Sequence, residues 1–130
     1  MLGERVFSNA GALRDLEEIV HPAVRANIRA RLASLVGARG IVVLDAVKLL
    51  QSDLADICSA VWVVQCDPEE ELRRLREDRG MSTQEARGRL AAQPSFDDPR
   101  VSRVIDNSGD REHTRSQVRQ GWEELTQQAV

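Results

Sequence analysis

The sequence predicts an α/β domain with a parallel sheet, on three observations. Two apolar runs, Ile41-Val42-Val43-Leu44 and Ala60-Val61-Trp62-Val63-Val64, are continuous rather than alternating, the pattern of strands buried on both faces. A shorter run follows at Val104-Ile105, and stretches with helical apolar spacing alternate with all three. The chain of 130 residues has the length of one domain of about 100–150 residues, with 42% apolar residues for a core and 30% charged residues for its surface.

Ser8 or Asn9 can cap a first helix, in which Leu13, Leu16, Ile19 and Val20 fall at helical spacing. His21-Pro22 is expected to interrupt it: the residue before proline is pushed out of the α region, and proline suits the first turn of a new helix. That second helix runs to about Val36, with Val24, Ile28, Leu32 and Leu35 on one face and Arg25, Arg29 and Arg31 on another. Gly37 and Gly40 punctuate its end, the strand Ile41–Leu44 follows, and Asp45 stands at that strand's carboxyl end. A short amphipathic segment, Leu49 to Ile57, leads to the strand Ala60–Val64.

Asp67-Pro68-Glu69-Glu70 reads as a helix start, with an acidic cap, proline at the first position and acid in the first turn. Leu72 and Leu75 give that helix a thin apolar stripe among Arg73, Arg74, Arg76 and Arg79. Gly80 closes it, and Ser82 with Glu85 forms a capping box for a helix to Gln93 that carries Arg89 and Gln93 on one face. A polar loop from Pro94 to Pro99 precedes Val104-Ile105; the turn Asp106-Asn107-Ser108-Gly109 then opens a last helix from Asp110 through Trp122 and Leu125. There is no repeat, low-complexity tract or linker.

Composition excludes several functions. A net charge of -3 argues against a protein that coats nucleic acid, and 3% aromatic residues with no tyrosine leave little for a base-stacking platform. Cys58 and Cys66 have no second pair, which fits two small buried hydrophobes in a reducing compartment rather than a zinc knuckle or disulfide framework. No run approaches the roughly 18–20 apolar residues of a membrane span, and Met1 to Ala10 has no apolar signal core, so a soluble, cytoplasmic chain is expected. Lys48 is the single lysine among 18 basic residues, and it sits in Val47-Lys48-Leu49 rather than in G-x-x-x-x-G-K-S/T.

Ligands of open parallel sheets sit beyond the carboxyl ends of the strands, which singles out Asp45 to Leu50, Gln65 to Asp67 and Asp106 to Gly109. Asp45 could hold magnesium through water, or it could simply be a strand-end turn or helix cap. Eight arginines lie from Arg73 to Arg103; guanidinium groups match phosphate oxygens, so a thinly anchored arginine-bearing hairpin suits a lid over polyphosphate. The interleaved Glu69, Glu70, Glu71, Glu77 and Asp78 suit a solvated face equally. His21 and His113 have no companions at metal spacing, and no nucleophilic triad is signalled.

Taken together, the residues resemble one family. Arg5-Val6-Phe7, Leu13 through Leu16-Glu17 and Ile19-Val20-His21-Pro22 are similar to the R-x-V-F…L…L-E-x-I-x-H-P stretch of dephospho-coenzyme A kinases. Val42-Val43-Leu44-Asp45 resembles that family's strand before its D-x-P-L-L segment. Arg74-Leu75, Gly80-Met81-Ser82, Glu85-Ala86 and Arg89 to Gln93 resemble its lid, and Val104 to Gly109 its closing V-I-D-N-x-G. The resemblance covers essentially the whole chain. It implies a P-loop-kinase-like three-layer fold with a short parallel sheet and a helical lid, here incomplete. It also implies transfer of the ATP γ-phosphoryl group, with Mg2+, to the 3′-hydroxyl of dephospho-coenzyme A.

Carried over by position, the resemblance gives 1–130 as a single domain with substrate-side helices at 1–40 and a lid-like hairpin at 68–93. It makes His21, Asp45, Leu49 and Leu50 substrate-binding, Arg74, Arg89 and Gln93 lid residues near the phosphates, and Asn107 part of the loop that meets adenine. The family's glycine-rich loop with its lysine, and the acidic segment that supplies its base, have no counterpart here, and Val47-Lys48 replaces the usual proline-leucine. Hence no catalytic residue is assigned, no cofactor is demonstrable for this chain, and no appreciable turnover is expected from it alone. The expected partners are dephospho-CoA or CoA and an adenine nucleotide, with neither nucleic acid nor membrane. A CoA- or adenine-nucleotide-binding module or partner subunit is the alternative. The family's first strand lies between those matching Ile41–Leu44 and Ala60–Val64, so these two are expected to pair directly or to recruit a second chain through exposed sheet edges.

Overall fold

One helix, α1 (Ala10–Ser34), runs unbroken through His21 and Pro22 in the computed structural model, which describes residues 9–91, 93 and 96–128. Arg5-Val6-Phe7, Ser8 and the Ala92 and Pro94 positions lie outside the described residues. The chain forms two compact units, Met1–Leu44 and Asp45–Val130.

In the first unit, Asn9 is the cap, one of the two residues that the sequence offers: its Oδ1 accepts from the Gly11 and Ala12 amides at 2.9 and 3.2 Å. The break expected at His21-Pro22 is not there. Proline removes one intrahelical bond, to the carbonyl of Glu18, but Glu18 and Pro22 both lie on an exposed face where water can solvate that carbonyl. The many other turns of a 25-residue helix then carry it through. Gly37 and Gly40 follow at φ 85° and 150°, a region open to glycine.

The strand expected at Ile41–Leu44 is also absent: the segment has no regular structure, and Ile41, Val42 and Val43 are 52%, 50% and 76% exposed. An apolar run becomes a strand only where a neighbour supplies the ladder of hydrogen bonds. The sheet contains two strands, β1 (Val61–Gln65) and β2 (Val101–Asp106), paired in parallel, so the direct pairing of 41–44 with β1 is not found.

The second unit begins with two 3₁₀ turns, Leu49–Gln51 and Ala55–Ile57, where the sequence shows an amphipathic stretch. Then come β1, α2 (Pro68–Glu77), α3 (Thr83–Ala91), β2 and α4 (Arg111–Gln128). The core is small: Leu54, Ala55, Val61, Val63 and Ile105 are buried, with Ala86 in the hairpin. β1 is not buried on both faces as its continuous run suggests; Val64 is 59% exposed, because a two-stranded sheet has too few layers to cover it.

The register pairs Val61 with Val101, then shifts so that Trp62 faces Arg103 and Gln65 faces Asp106. Ser102 sits at the shift, and its hydroxyl accepts from the Val61 amide at 3.2 Å and donates to the Val61 carbonyl at 3.0 Å. Arg103 lies over the Trp62 ring, 5.8 Å from its centroid, and ion-pairs with Glu124 of α4. Gly121 lets α4 approach this pair: a Cβ there would meet Arg103 Nε at 2.7 Å and Trp62 at 2.9 Å.

Candidate functional site

Because β1 and β2 run in parallel, their carboxyl ends open on one edge, where ligands of such sheets bind. The loop after β2 is fixed to the end of β1 by two bonds. The Asn107 amide donates to the Gln65 carbonyl at 2.7 Å, and the Asp67 amide donates to Ser108 Oγ at 2.8 Å. Gln117 of α4 closes on Asp106 from the other side, accepting from its amide at 3.0 Å and donating to its carbonyl at 2.7 Å. Hydrogen bonds from Ser108, side chain and amide, hold the Asp106 carboxyl below its ordinary range. Asn107 Oδ1 accepts from Thr114 Oγ1 at 2.9 Å, which leaves the Asn107 Nδ2 group without a partner among the described residues.

α2 starts directly from this edge. Asp67 is its N-cap residue and Pro68 opens the helix, as the sequence suggests, although the Asp67 side chain makes no capping bond. Glu70 accepts from Arg73 Nε and Nη2 and from Arg74 Nε, each at 2.7 Å, and Arg73 Nη1 also reaches Glu77 at 2.5 Å. The bonds from Arg73 and then Arg74 hold the Glu70 carboxyl at about 2, and Glu70 with Glu77 raises the Arg73 guanidinium above its ordinary value.

Gly80 turns the chain at φ 64°, and the capping box forms as read: the Ser82 amide donates to Glu85 Oε2 at 2.9 Å and the Glu85 amide to Ser82 Oγ at 3.3 Å. That box holds the Glu85 carboxyl below its usual range. α3 ends at Ala91, so Gln93 lies beyond the helix and does not share its face with Arg89. Gln93 Nε2 instead donates to Glu71 at 2.5 Å and ties the hairpin together.

The structure thus gathers Arg74 on Glu70 and Gln93 on Glu71, two of the three carboxylates in the first turn of α2, and leaves Arg89 exposed on α3. Asn107 stands at the strand edge, Asp45 is exposed before the first turn, and Leu49 and Leu50 are half-buried within it. His21 belongs to the first unit, half-buried in a shallow depression lined by Arg14, Glu17, Glu18, Pro22 and Arg25 of the same helix.

Sequence reasoning missed Arg100. Its Nε and Nη2 grip both oxygens of Asp98 at 2.9 and 2.8 Å, Nη1 donates to Asp56 at 2.7 Å, and Nη2 donates to the Leu50 carbonyl at 2.5 Å. These bonds hold Asp98 at about 2 and raise the guanidinium. Asp98 is a neighbour, but no local pattern announces the other two partners, Asp56 and Leu50, which lie 44 and 50 residues away.

Comparison with known proteins identifies the setting. A family model for dephospho-CoA kinase matches residues 1–113. The dephospho-CoA kinase of Symbiobacterium thermophilum is 43% identical over 124 residues, covering 93% of this chain and 52% of the relative. That of Geobacter metallireducens is 41% identical over 126 residues, covering 95% of this chain and 63% of the relative. The chain therefore spans between half and two thirds of these curated relatives. A solved dephospho-CoA kinase from Campylobacter jejuni shares the fold at a TM-score of 0.64 and 23% identity, over 99% of this chain and 65% of that one.

Proposed function

The chain belongs to the dephospho-CoA kinase family, and from that premise we propose that it takes part in ATP-dependent phosphorylation of the 3′-hydroxyl of dephospho-CoA. In that reaction the 3′-oxygen bonds to the γ-phosphorus, the bond from that phosphorus to the bridging oxygen breaks, and ADP leaves with the electron pair while the hydroxyl proton is released. The family resemblance gives His21, Asp45, Leu49 and Leu50 to dephospho-CoA and Asn107 to adenine. Arg74, Arg89 and Gln93 answer the phosphates, where bidentate and charge-assisted bonds suit polyphosphate oxygens.

One observation carries the reading. The Val104–Gly109 segment lies at the carboxyl edge of the sheet, and Ser108 bonds it to Asp67, the residue from which the arginine-bearing helix starts. An adenine at the free Asn107 amide therefore lies next to the root of a helix that offers cations to its phosphates. Among the described residues no group of three or more His, Cys, Asp or Glu side chains could hold a metal ion. The 130 residues contain no G-x-x-x-x-G-K-S/T, and phosphoryl transfer depends on charge neutralisation by that loop and its lysine. The polypeptide by itself is accordingly proposed to bind without turning over.

Calorimetric titration tests this. Saturable binding of dephospho-CoA and of ATP is expected, with Asn107→Ala weakening ATP about fivefold, the equivalent of one neutral hydrogen bond of about 1 kcal/mol. Flat titrations with both ligands sink the proposal, and 3′-phosphorylated product from the 130-residue polypeptide sinks its second part.

A further inference from the structure

We infer that Arg100 is a positioning residue for the dephospho-CoA side of the site, fixing the turn that carries Leu49 and Leu50; the inference rests on the function proposed above. The turn's own main-chain bonds do not tie it to the rest of the unit. Among the described residues, the backbone-to-backbone bonds around it are all short-range: Leu49 to Ala46, Gln51 to Lys48, Ser52 to Leu49 and Ala55 to Ser52. Such bonds preserve the shape of the segment without saying where it sits. The side chains of Leu49 and Leu50 are only half-buried, and the buried apolar residues begin further on, at Leu54 and Ala55.

Arg100 supplies a long-range anchor at the foot of β2. Its 2.5 Å bond goes to the Leu50 main-chain carbonyl, so it fixes the path of the chain whatever side chain the turn carries. Its bond to Asp56 reaches the second 3₁₀ turn, so one guanidinium holds both turns. The orientation of that group is set in turn by the bidentate grip on Asp98, two residues before it, and by the Arg100 amide donating to the same carboxylate at 2.9 Å. A planar fork with donors on three sides can do this; a lysine ammonium at the same place can reach one or two acceptors without fixing its own plane. Arg100 is one third exposed and Asp56 is 62% exposed, so the contribution lies in geometry more than in the strength of the ion pairs.

The consequence is specific to one ligand. Loosening the turn should degrade the recognition of dephospho-CoA by Leu49 and Leu50, and should leave the Asn107 edge, held by its own bonds, as it is. The test is calorimetric titration of the wild-type chain, Arg100→Gln and Arg100→Lys with dephospho-CoA and with ATP, and thermal melts show that each variant is folded at the titration temperature. Arg100→Gln is expected to weaken dephospho-CoA about tenfold and ATP less than twofold, and Arg100→Lys to recover part of the loss. Should Arg100→Gln not fold, Asp56→Asn, which keeps the Asp98 grip, is expected to weaken dephospho-CoA about threefold. Unchanged dephospho-CoA affinity in the folded variants, or equal weakening of both ligands, overturns the role. A wild-type chain that does not bind dephospho-CoA at all overturns the proposed function instead, and the inference with it.

Discussion

The strand edge and the α2–α3 hairpin use the same kinds of side chain to opposite ends. At the edge, the bonds join residues far apart in the chain, such as Asp67 to Ser108 across 41 positions, beside the fully buried Ile105. In the hairpin, Glu70, Arg73, Arg74 and Glu77 bond at spacings of three and four within one helix, and Ala86 is the buried side chain. A network internal to a helix survives any movement of that helix, whereas the edge exists only in one arrangement of the chain. The difference teaches where motion is cheap: the hairpin can swing about its root at Asp67 without breaking its ion pairs, and the strand edge cannot shift without losing its bonds.

The largest effect expected from this contrast is at the edge. Ile105→Ala removes the most buried large side chain and should cost about 2–5 kcal/mol in urea unfolding followed by circular dichroism. The loss should spread through the Asp45–Val130 unit, with the fluorescence of Trp62 and Trp122 changing together with the loss of helicity. A cost below about 1 kcal/mol would mean that the edge is no more fixed than the hairpin.

Ser82→Ala probes the hairpin in the same way and should do less. It removes the hydroxyl that accepts from the Glu85 amide, typically worth about 1 kcal/mol at an N-cap. Amide exchange should accelerate about fivefold at residues 83–86 and remain unchanged in β1 and β2, because the loss stays inside the movable piece. Acceleration that spreads into the strands contradicts the separation.

What the sequence made legible follows the same division. The Asn9 cap, Pro68 at the first helical position, the Gly80 turn and the Ser82–Glu85 box are local devices, and each was readable because its partners are neighbours. The parallel α/β class was readable from apolar runs and from the family's motifs. Readings failed where a local rule met a wider context: Pro22 is tolerated on an exposed face of a long helix, Ile41–Leu44 has strand composition without a ladder, β1 has one face uncovered, and Gln93 lies past the end of the helix that carries Arg89. Arg100 and Gln117 were not legible at all. Both act on main-chain groups, the Leu50 carbonyl and the Asp106 amide and carbonyl, which leave no mark in the sequence. Among the proposed site residues, Arg74, Gln93 and Asn107 were proposed from the family's motifs, while the contacts that orient them, Glu70, Glu71 and Thr114, came only with the structure.

The smallest effect expected is an acid effect, and it tests whether the hairpin's ion pairs exist in solution. Glu70 is held at about 2 by Arg73 and Arg74, against about 4.3 for an unfolded glutamate. A carboxylate with a lowered folded value stabilises the fold in full above its unfolded value, and that contribution disappears as the pH falls through the folded value. Glu70→Gln removes the contribution at neutral pH and has nothing left to lose in acid. The difference in melting temperature between wild type and variant should therefore be largest at neutral pH, narrow below about 4 and close near about 2. Asp98 and its Arg100 partner lie outside the Glu70 network and are the same in both proteins, so their contribution cancels in the difference. Added salt should shrink the difference at neutral pH, since the pair is open to solvent. A difference that persists unchanged into acid shows that Glu70 is unpaired in solution. The hairpin would then keep only the Arg73–Glu77 pair and the Gln93–Glu71 bond of its internal network, and Arg74 would be released from Glu70.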